Sequence, residues 1–318
     1  VVDERTMRAL EEKVAELRRL VEEDGVDLRD ELTLLEQRLQ ALRREYYAGL
    51  SDWDRVRLAR RPDRPRGLTL VQAVCEDFYE LRGDRIGGDD PALRGGLARL
   101  GGKAVTVLFH HRGTSPEEQR ACRSGMALPT GYRKAVRIME IAARLKLPLI
   151  TFIDTPGAYP GVEAEAANIA GAIAKSIATM LSLPVPTVAV ILGEGGSGGA
   201  VALAAADRVL MLENATYTVI SPEGAAAILW KDAAAAPQAA QALALSAPRL
   251  LELGVIDEVI PEPLGGAHVD PEGTAQAVRD AVLRHLSELE GLPLDERRKL
   301  RYNRYRNAGN RGAGAPTG

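Results

Sequence analysis

Apolar residues recur every three or four positions from Leu10 through Val14, Leu17 and Val21, and again from Leu28 through Leu32, Leu35, Leu39 and Leu42. Charged residues fill the gaps, and Asp24-Gly25-Val26-Asp27 separates the two runs. This spacing puts one apolar stripe on each of two helices and predicts a helical hairpin that packs against its own domain or a partner. Each run is too short for a rod-like coiled coil. Ser51-Asp52-Trp53-Asp54 has the form of a helix cap, and Arg61-Pro62-Asp63-Arg64-Pro65-Arg66-Gly67 that of a linker. The expected division is an arm and linker over 1–66 and a main domain over 67–318 that ends in a basic helical tail.

Past the linker, Leu70, Val74, Phe78 and Leu81 predict a helix over 69–81, capped by Thr69 and ended by Gly83-Asp84-Arg85. Leu97 to Leu100, Gly101-Gly102 and Lys103 to Phe109 predict a β-hairpin that opens a sheet, because paired glycines supply the positive φ of a tight turn. The chain then alternates. Helix is predicted over 132–146, strand over 148–153, an Ala-rich helix over 163–182 and strand over 185–192. Short strands are expected at 208–212, 216–220 and 255–260, with a helix starting at Ser221 and a closing amphipathic helix over 270–289. Continuously apolar strands separated by helices imply a parallel α/β sheet, with ligands at the carboxyl ends of its strands.

Two loops lie at such ends. One is Asp154-Thr155-Pro156-Gly157-Ala158-Tyr159-Pro160-Gly161; the other is Gly193-Glu194-Gly195-Gly196-Ser197-Gly198-Gly199-Ala200, between an apolar strand and a run of helix formers. Five glycines in eight residues let the backbone approach a bulky group and turn its N–H groups toward it, and the helix adds the positive end of its dipole. The expected guest is an oxyanion.

Composition narrows the classes. Apolar residues make up 46% and charged residues 27% of the 318 residues, which is ordinary for a globular chain, while aromatics at 4% leave Ala, Val, Leu and Ile to fill the core. A formal charge of −3 gives no general attraction to nucleic acid or anionic lipid. Cys75 and Cys122 are too few for a disulfide framework or a structural zinc site and suit a reducing, cytoplasmic location. No apolar run reaches membrane-span length, and the charged start does not read as a signal peptide. His110-His111 point to opposite sides of an extended chain and make a poor metal clamp. The basic run over 295–311 reads as a solvated or partner-facing helix, with an anionic ligand as the other reading.

The Gly-rich stretch has look-alikes. A Walker loop needs Lys and Ser or Thr where Ala200-Val201 stand, and without it Asp154-Thr155-Pro156-Gly157 cannot serve a GTPase. Gly195-Gly196-Ser197-Gly198-Gly199 also fits the Gly-x-Ser-x-Gly elbow of serine hydrolases, whose base would have to be His268 or His285. A purely structural turn is the third reading. Two adjacent N–H-rich loops favour an oxyanion hole.

Several ordered strings carry a resemblance. Gly131-Tyr132-Arg133-Lys134-Ala135, the segment 150–161, the Gly-rich stretch, Thr218-Val219-Ile220-Ser221-Pro222-Glu223-Gly224, Ile228-Leu229-Trp230-Lys231 and the segment 260–268 resemble the carboxyltransferase α subunits of the bacterial multisubunit acetyl-CoA carboxylases. The resemblance implies a crotonase-like (Clp/crotonase) α/β fold of repeated β-β-α units, preceded by the helical hairpin. It further implies an α₂β₂ heterotetramer with a zinc-containing β subunit, working with biotin carboxylase and a biotin carboxyl carrier protein in an ATP-dependent complex of fatty acid biosynthesis. The reaction would move a carboxyl group from carboxybiotin to acetyl-CoA, giving malonyl-CoA. The ureido anion left on biotin would take the methyl proton, so the site needs placed N–H donors more than a side-chain base. Carried over by motif, Gly198 and Gly199 are the catalytic donors; Gly195, Gly196 and Ser197 line the biotin side, with Ala158 and Tyr159 as walls or second donors. No metal is expected on this chain. A serine hydrolase or peptidase of the Clp-crotonase superfamily is the alternative. The sequence departs from the family's usual strings at 111–115, 125–130 and 163–169, all expected to stand clear of the oxyanion hole.

Overall fold

The structure, a computed structural model, describes residues 4–22 and 28–308. Helices α1 (Glu4–Glu22) and α2 (Arg29–Ala48) form the predicted hairpin, with Val14 and Leu39 buried between them among Leu10, Leu32, Leu35, Tyr46 and Tyr47. The Asp24–Asp27 interruption lies outside the described residues. Helix α3 (Asp52–Ala59) begins at the predicted cap: Ser51 Oγ accepts from the Asp54 N–H, and the Asp54 carboxylate accepts from the Ser51 N–H. A cap of this kind is worth about 1 kcal/mol. From here the arm and linker are tied into the body. Val56 is buried with Ala240 and Leu245, and the buried Arg64 donates to the Leu192 carbonyl (2.8 Å) and to Glu262 (2.7 Å).

The predicted helix over 69–81 is half right. Helix α4 (Gly67–Val74) starts at Arg66 instead of Thr69, and after Cys75 the chain becomes strand β1 (Glu76–Glu80), antiparallel to β2 (Leu93–Leu100). A spacing of four, as in Leu70, Val74 and Phe78, suits a helical face and also one face of a strand. Pairing with β2 decides it, and Phe78 packs edge-on against Phe109 at 5.7 Å. The hairpin of β2 with β3 (Lys103–His110) closes as predicted through Gly101 and Gly102, at φ +57° and +79°.

The remaining elements follow in order. They are α5 (Pro116–Ala121), α6 (Pro129–Leu145), β4 (Leu149–Thr155), α7 (Val162–Ala166), α8 (Ile169–Ser182), β5 (Thr187–Gly196), α9 (Ser197–Ala204), β6 (Arg208–Leu212) and β7 (Thr216–Thr218). Then come α10 (Pro222–Trp230), α11 (Ala236–Leu243), α12 (Ala247–Glu252), β8 (Glu258–Ile260), α13 (Pro271–Glu290) and α14 (Leu294–Arg306). The sheet runs β1-β2-β3-β4-β5-β6-β8, parallel from β3 onward, with β7 beside the far end of β5. Two successive strands precede a helix at β2-β3, which form a hairpin, and at β6-β7, which each pair with β5; β4 and β5 lead straight into helices. Every residue of β4 and β5 is buried, as their unbroken apolar runs require. The single helix expected over 163–182 is two, because Asn168 takes a left-handed backbone (φ +61°) and its side chain caps the Gly171 N–H.

The basic tail differs from expectation on one face, while Arg298, Lys299 and Arg306 are exposed as a solvated helix requires. Arg301 is buried, pairs bidentately with Asp207 (2.6 Å to each oxygen) and donates to the carbonyls of Met180, Leu181, Leu183 and Val185. Arg297 holds the Pro184 carbonyl and Arg304 holds Asp257. These cations saturate carbonyls at the end of α8 and fasten α14 to the sheet; they are neither solvated nor spare for an anion. Residues 309–318 lie outside the described part. Cys75 and Cys122 are free and buried, their thiols pushed up by burial to about 12 and about 11. Among the described residues no helix is long and apolar enough to cross a membrane.

Candidate active site

Strands β4 and β5 end side by side, with Thr155 opposite Gly195. The Gly-rich stretch is more strand than turn: β5 continues through Gly196, pairing on its other edge with β7 through Glu194–Thr216, Gly195–Tyr217 and Gly196–Thr218. The chain reverses at Ser197, the first residue of α9, which holds φ +54°. A left-handed serine between glycines is a strained position of the kind found at functional turns.

The glycines have a different task from the one the sequence suggests. The bulk that three of them accommodate belongs to the protein itself. A Cβ on Gly196 would overlap the Pro156 carbonyl oxygen, one on Gly199 would sit 2.7 Å from the Ala158 nitrogen, and one on Gly193 2.6 Å from Asp154 Oδ1. The loop 156–159 is therefore clamped across the start of α9. Gly198 is the exception, where a Cβ would meet only the Ile173 side chain, at 3.6 Å. Within 193–200 only Ser197 and Gly198 are partly exposed. The opening thus lies over the first N–H groups of α9, which have no acceptor within the helix.

The two weaker donor candidates separate. The Tyr159 N–H donates to the Ala127 carbonyl (3.1 Å), so it fastens the loop and is not spare for a ligand. Ala158 is the one whose nitrogen lies beside Gly199. The same bond corrects a second expectation. The altered segment 125–130 does not stand clear of the site, since Ala127 holds Tyr159 and the Gly125 carbonyl accepts from Thr155 Oγ1 at 2.8 Å.

A charged network underlies the opening. Arg112 donates to Asp154 (3.1 Å) and Glu194 (2.8 Å), Arg60 joins Glu194 (2.7 Å) to Glu223 (2.5 Å), Arg66 lies 3.5 Å from Asp154, and the Glu194 N–H donates to Asp154 at 3.0 Å. Burial pushes the Asp154 carboxyl up, but Arg112 and Arg66 outweigh it and hold the group below its ordinary value. Sequence reasoning missed this network. Arg60 and Arg66 stand in or beside the expected linker, and Asp154 entered as the start of a candidate loop and a GTPase look-alike, with no charged partner foreseen.

His110, at the end of β3, is fully enclosed, and neither ring nitrogen has a hydrogen-bond partner. Burial pushes it down to about 4, so it is neutral in the fold. The unfolded chain binds the proton first, at about 6.5, so this contribution to stability is present above pH 6.5 and is lost as pH falls toward 4. The shift corresponds to about 3 kcal/mol. His110→Phe is expected to flatten the thermal midpoint between pH 6.5 and 4, leaving the acid loss from Asp154 and Glu262, both held below their ordinary values, at lower pH. Melting curves across pH test this.

The hydrolase alternative lacks its base. His285 is held by Glu258 (2.7 Å), His268 lies against Gly266, and neither ring is hydrogen-bonded to Ser197. Among the described residues no cluster of three His, Cys, Asp or Glu side chains is placed to hold a metal ion.

Residues 2–309 match the family described as acetyl co-enzyme A carboxylase carboxyltransferase-like. The acetyl-coenzyme A carboxylase carboxyl transferase subunit alpha of a Thermus thermophilus strain is 51% identical over 96% of this chain and 97% of its own length. The subunit alpha of Deinococcus radiodurans is 50% identical over 95% of this chain and 96% of its own. Among solved structures, a chain of a Pseudomonas malonate decarboxylase hetero-tetramer in complex with coenzyme A superposes at TM-score 0.63, with 22% identity, over 78% of this chain and 95% of that one. Transcarboxylase 12S superposes at 0.56 with 21% identity, over 69% of this chain and 41% of that one. These likenesses identify the fold as crotonase-like.

Proposed function

Because the chain belongs to the acetyl co-enzyme A carboxylase carboxyltransferase family and is its α-type subunit, we propose that the opening over Gly198 is the biotin side of the transfer site. Biotin, brought in carboxylated form on a carrier protein, supplies the carboxyl group and, at its ureido oxygen, the negative charge the site must hold. The residues fit such a group. No side chain stands over the first turn of α9 at Gly198, where a Cβ would meet only Ile173, and the N–H groups there, without an acceptor in the helix, suit an anionic oxygen. That open position, in a stretch otherwise packed against its own loop, is the observation that supports the reading most.

In this reading the N–H groups of Gly198 and Gly199 donate to the ureido oxygen, and the α9 dipole adds to them. Gly195 and Gly196 supply the flat strand backbone, Ser197 sets the reversal, Ala158 adds a wall or further donor, and Tyr159 holds the loop. Arg112 and Arg60 keep the strand ends rigid beneath the opening. Acetyl-CoA would be held by a zinc-containing β subunit in an α₂β₂ assembly, and biotin carboxylase would supply the carboxyl group through the carrier protein, in the cytoplasm. The division into an arm and linker (1–66) and a transferase body (67–318) belongs to the same reading, with α1 and α2 presented to partners.

Ser197→Ala tests transfer against hydrolysis. With the β subunit, malonyl-CoA formation is expected to stay within a few-fold of wild type, because no serine nucleophile is used. A near-complete loss in a folded variant, or covalent labelling of Ser197 by a fluorophosphonate, would overturn the reading.

A further inference from the structure

Tyr132, on α6, is fully buried, and its hydroxyl has no hydrogen-bond partner. Buried phenols nearly always find one, because an unmade bond leaves the desolvation of the O–H uncompensated. Phenylalanine would fill the same space without that cost, so packing of the ring does not explain the oxygen. Its position does. The point a Gly199 Cβ would occupy is 2.9 Å from the Tyr132 hydroxyl oxygen and 2.7 Å from the Ala158 nitrogen. The phenol therefore stands behind the junction of α9 and the loop 156–159, where the candidate donors meet. Burial, with Asp90 adding to it, pushes the phenol well above its usual range, so it keeps its proton and can act only as a neutral hydrogen-bonding group.

We propose that Tyr132 is a positioning residue of the anion site, its O–H dipole fixed behind Gly199 and Ala158, where it adds to the field of the N–H groups at the start of α9 when a negatively charged oxygen occupies them. The free chain then bears an unpaired dipole that is already in place when charge arrives, which is the condition for electrostatic stabilisation without reorganisation. A side chain at Gly199 would meet the phenol oxygen as well as the backbone of Gly157 and Ala158.

The inference rests on the reading of the anion site given above, and the test separates the two. In the assembled α–β enzyme, Tyr132→Phe is expected to lower turnover about tenfold, a fraction of what loss of a direct oxyanion donor costs. The KM for the carboxylated carrier should stay within twofold, and the thermal midpoint should be unchanged or higher, because an unsatisfied O–H has been removed. A faster-melting variant whose activity falls in step, or a variant with wild-type turnover, would overturn the inference. Gly198→Pro assayed alongside reports on the anion site itself: if that variant turns over normally the site is misplaced, whereas normal turnover in Tyr132→Phe alone removes only the role of the phenol.

Discussion

Gly198→Pro is expected to fold and to lose turnover on the order of a hundredfold or more, the cost of removing one oxyanion donor. The substitution deletes an N–H that no helical bond uses, because Gly198 is the second residue of α9 and lies in the turn where helices tolerate proline. A Cβ there meets only Ile173 at 3.6 Å. Gly198→Ala adds bulk at the same point but keeps the N–H, and the difference between the two variants reports the donor alone. Circular dichroism should match wild type in both, with a lower unfolding midpoint for the proline variant alone, because left-handed Ser197 then precedes a proline. Full turnover in a folded Gly198→Pro chain would contradict the assignment.

Asp154→Ala is expected to destabilise the fold by about 3–5 kcal/mol, the cost of leaving buried charges without their partner. Asp154 is 1% exposed and faces Arg112 and Arg66 while accepting the Glu194 N–H. Its loss leaves two guanidinium groups with too little counter-charge and frees the backbone at the start of the Gly-rich stretch. Against a total stability of about 5–15 kcal/mol this is a large fraction, visible as a fall in the urea midpoint on the order of 1 M. Asp154→Asn, which keeps an acceptor for the Glu194 N–H, should cost less. Equal midpoints for wild type and Asp154→Ala would show that the network does not brace the strand ends.

Periodicity made most of the scaffold legible. The continuous apolar runs became β4 and β5, the Gly-Gly pair became the β2–β3 turn, and Ser51, Ser221 and Asp270 cap the helices they were expected to start. Failures came where one pattern serves two structures or where a distant partner decides. A spacing of four did not distinguish α4 from β1, and Asn168 broke an Ala-rich run by capping its own helix. Arginines carried the largest surprises. Arg301, Arg64, Arg60 and Arg112 look like surface charge in sequence, yet each finds carbonyls or carboxylates far along the chain, and nothing local announces those partners.

The candidate site was legible as a place but not as a shape. Five glycines marked it, yet the sequence could not separate Gly193, Gly196 and Gly199, which make room for the protein's own loop and Asp154, from Gly198, which is open. Nor could it show that the Tyr159 N–H is used by Ala127 or that Tyr132 stands behind the junction. These depend on how two loops cross, which no local pattern encodes.

The most direct test of the central claim is malonyl-CoA formation from acetyl-CoA and the carboxylated carrier by this chain alone, by its β subunit alone and by the two together. The account predicts product only from the assembled pair. Malonyl-CoA made by either chain alone, or none made by a well-formed complex, would contradict it.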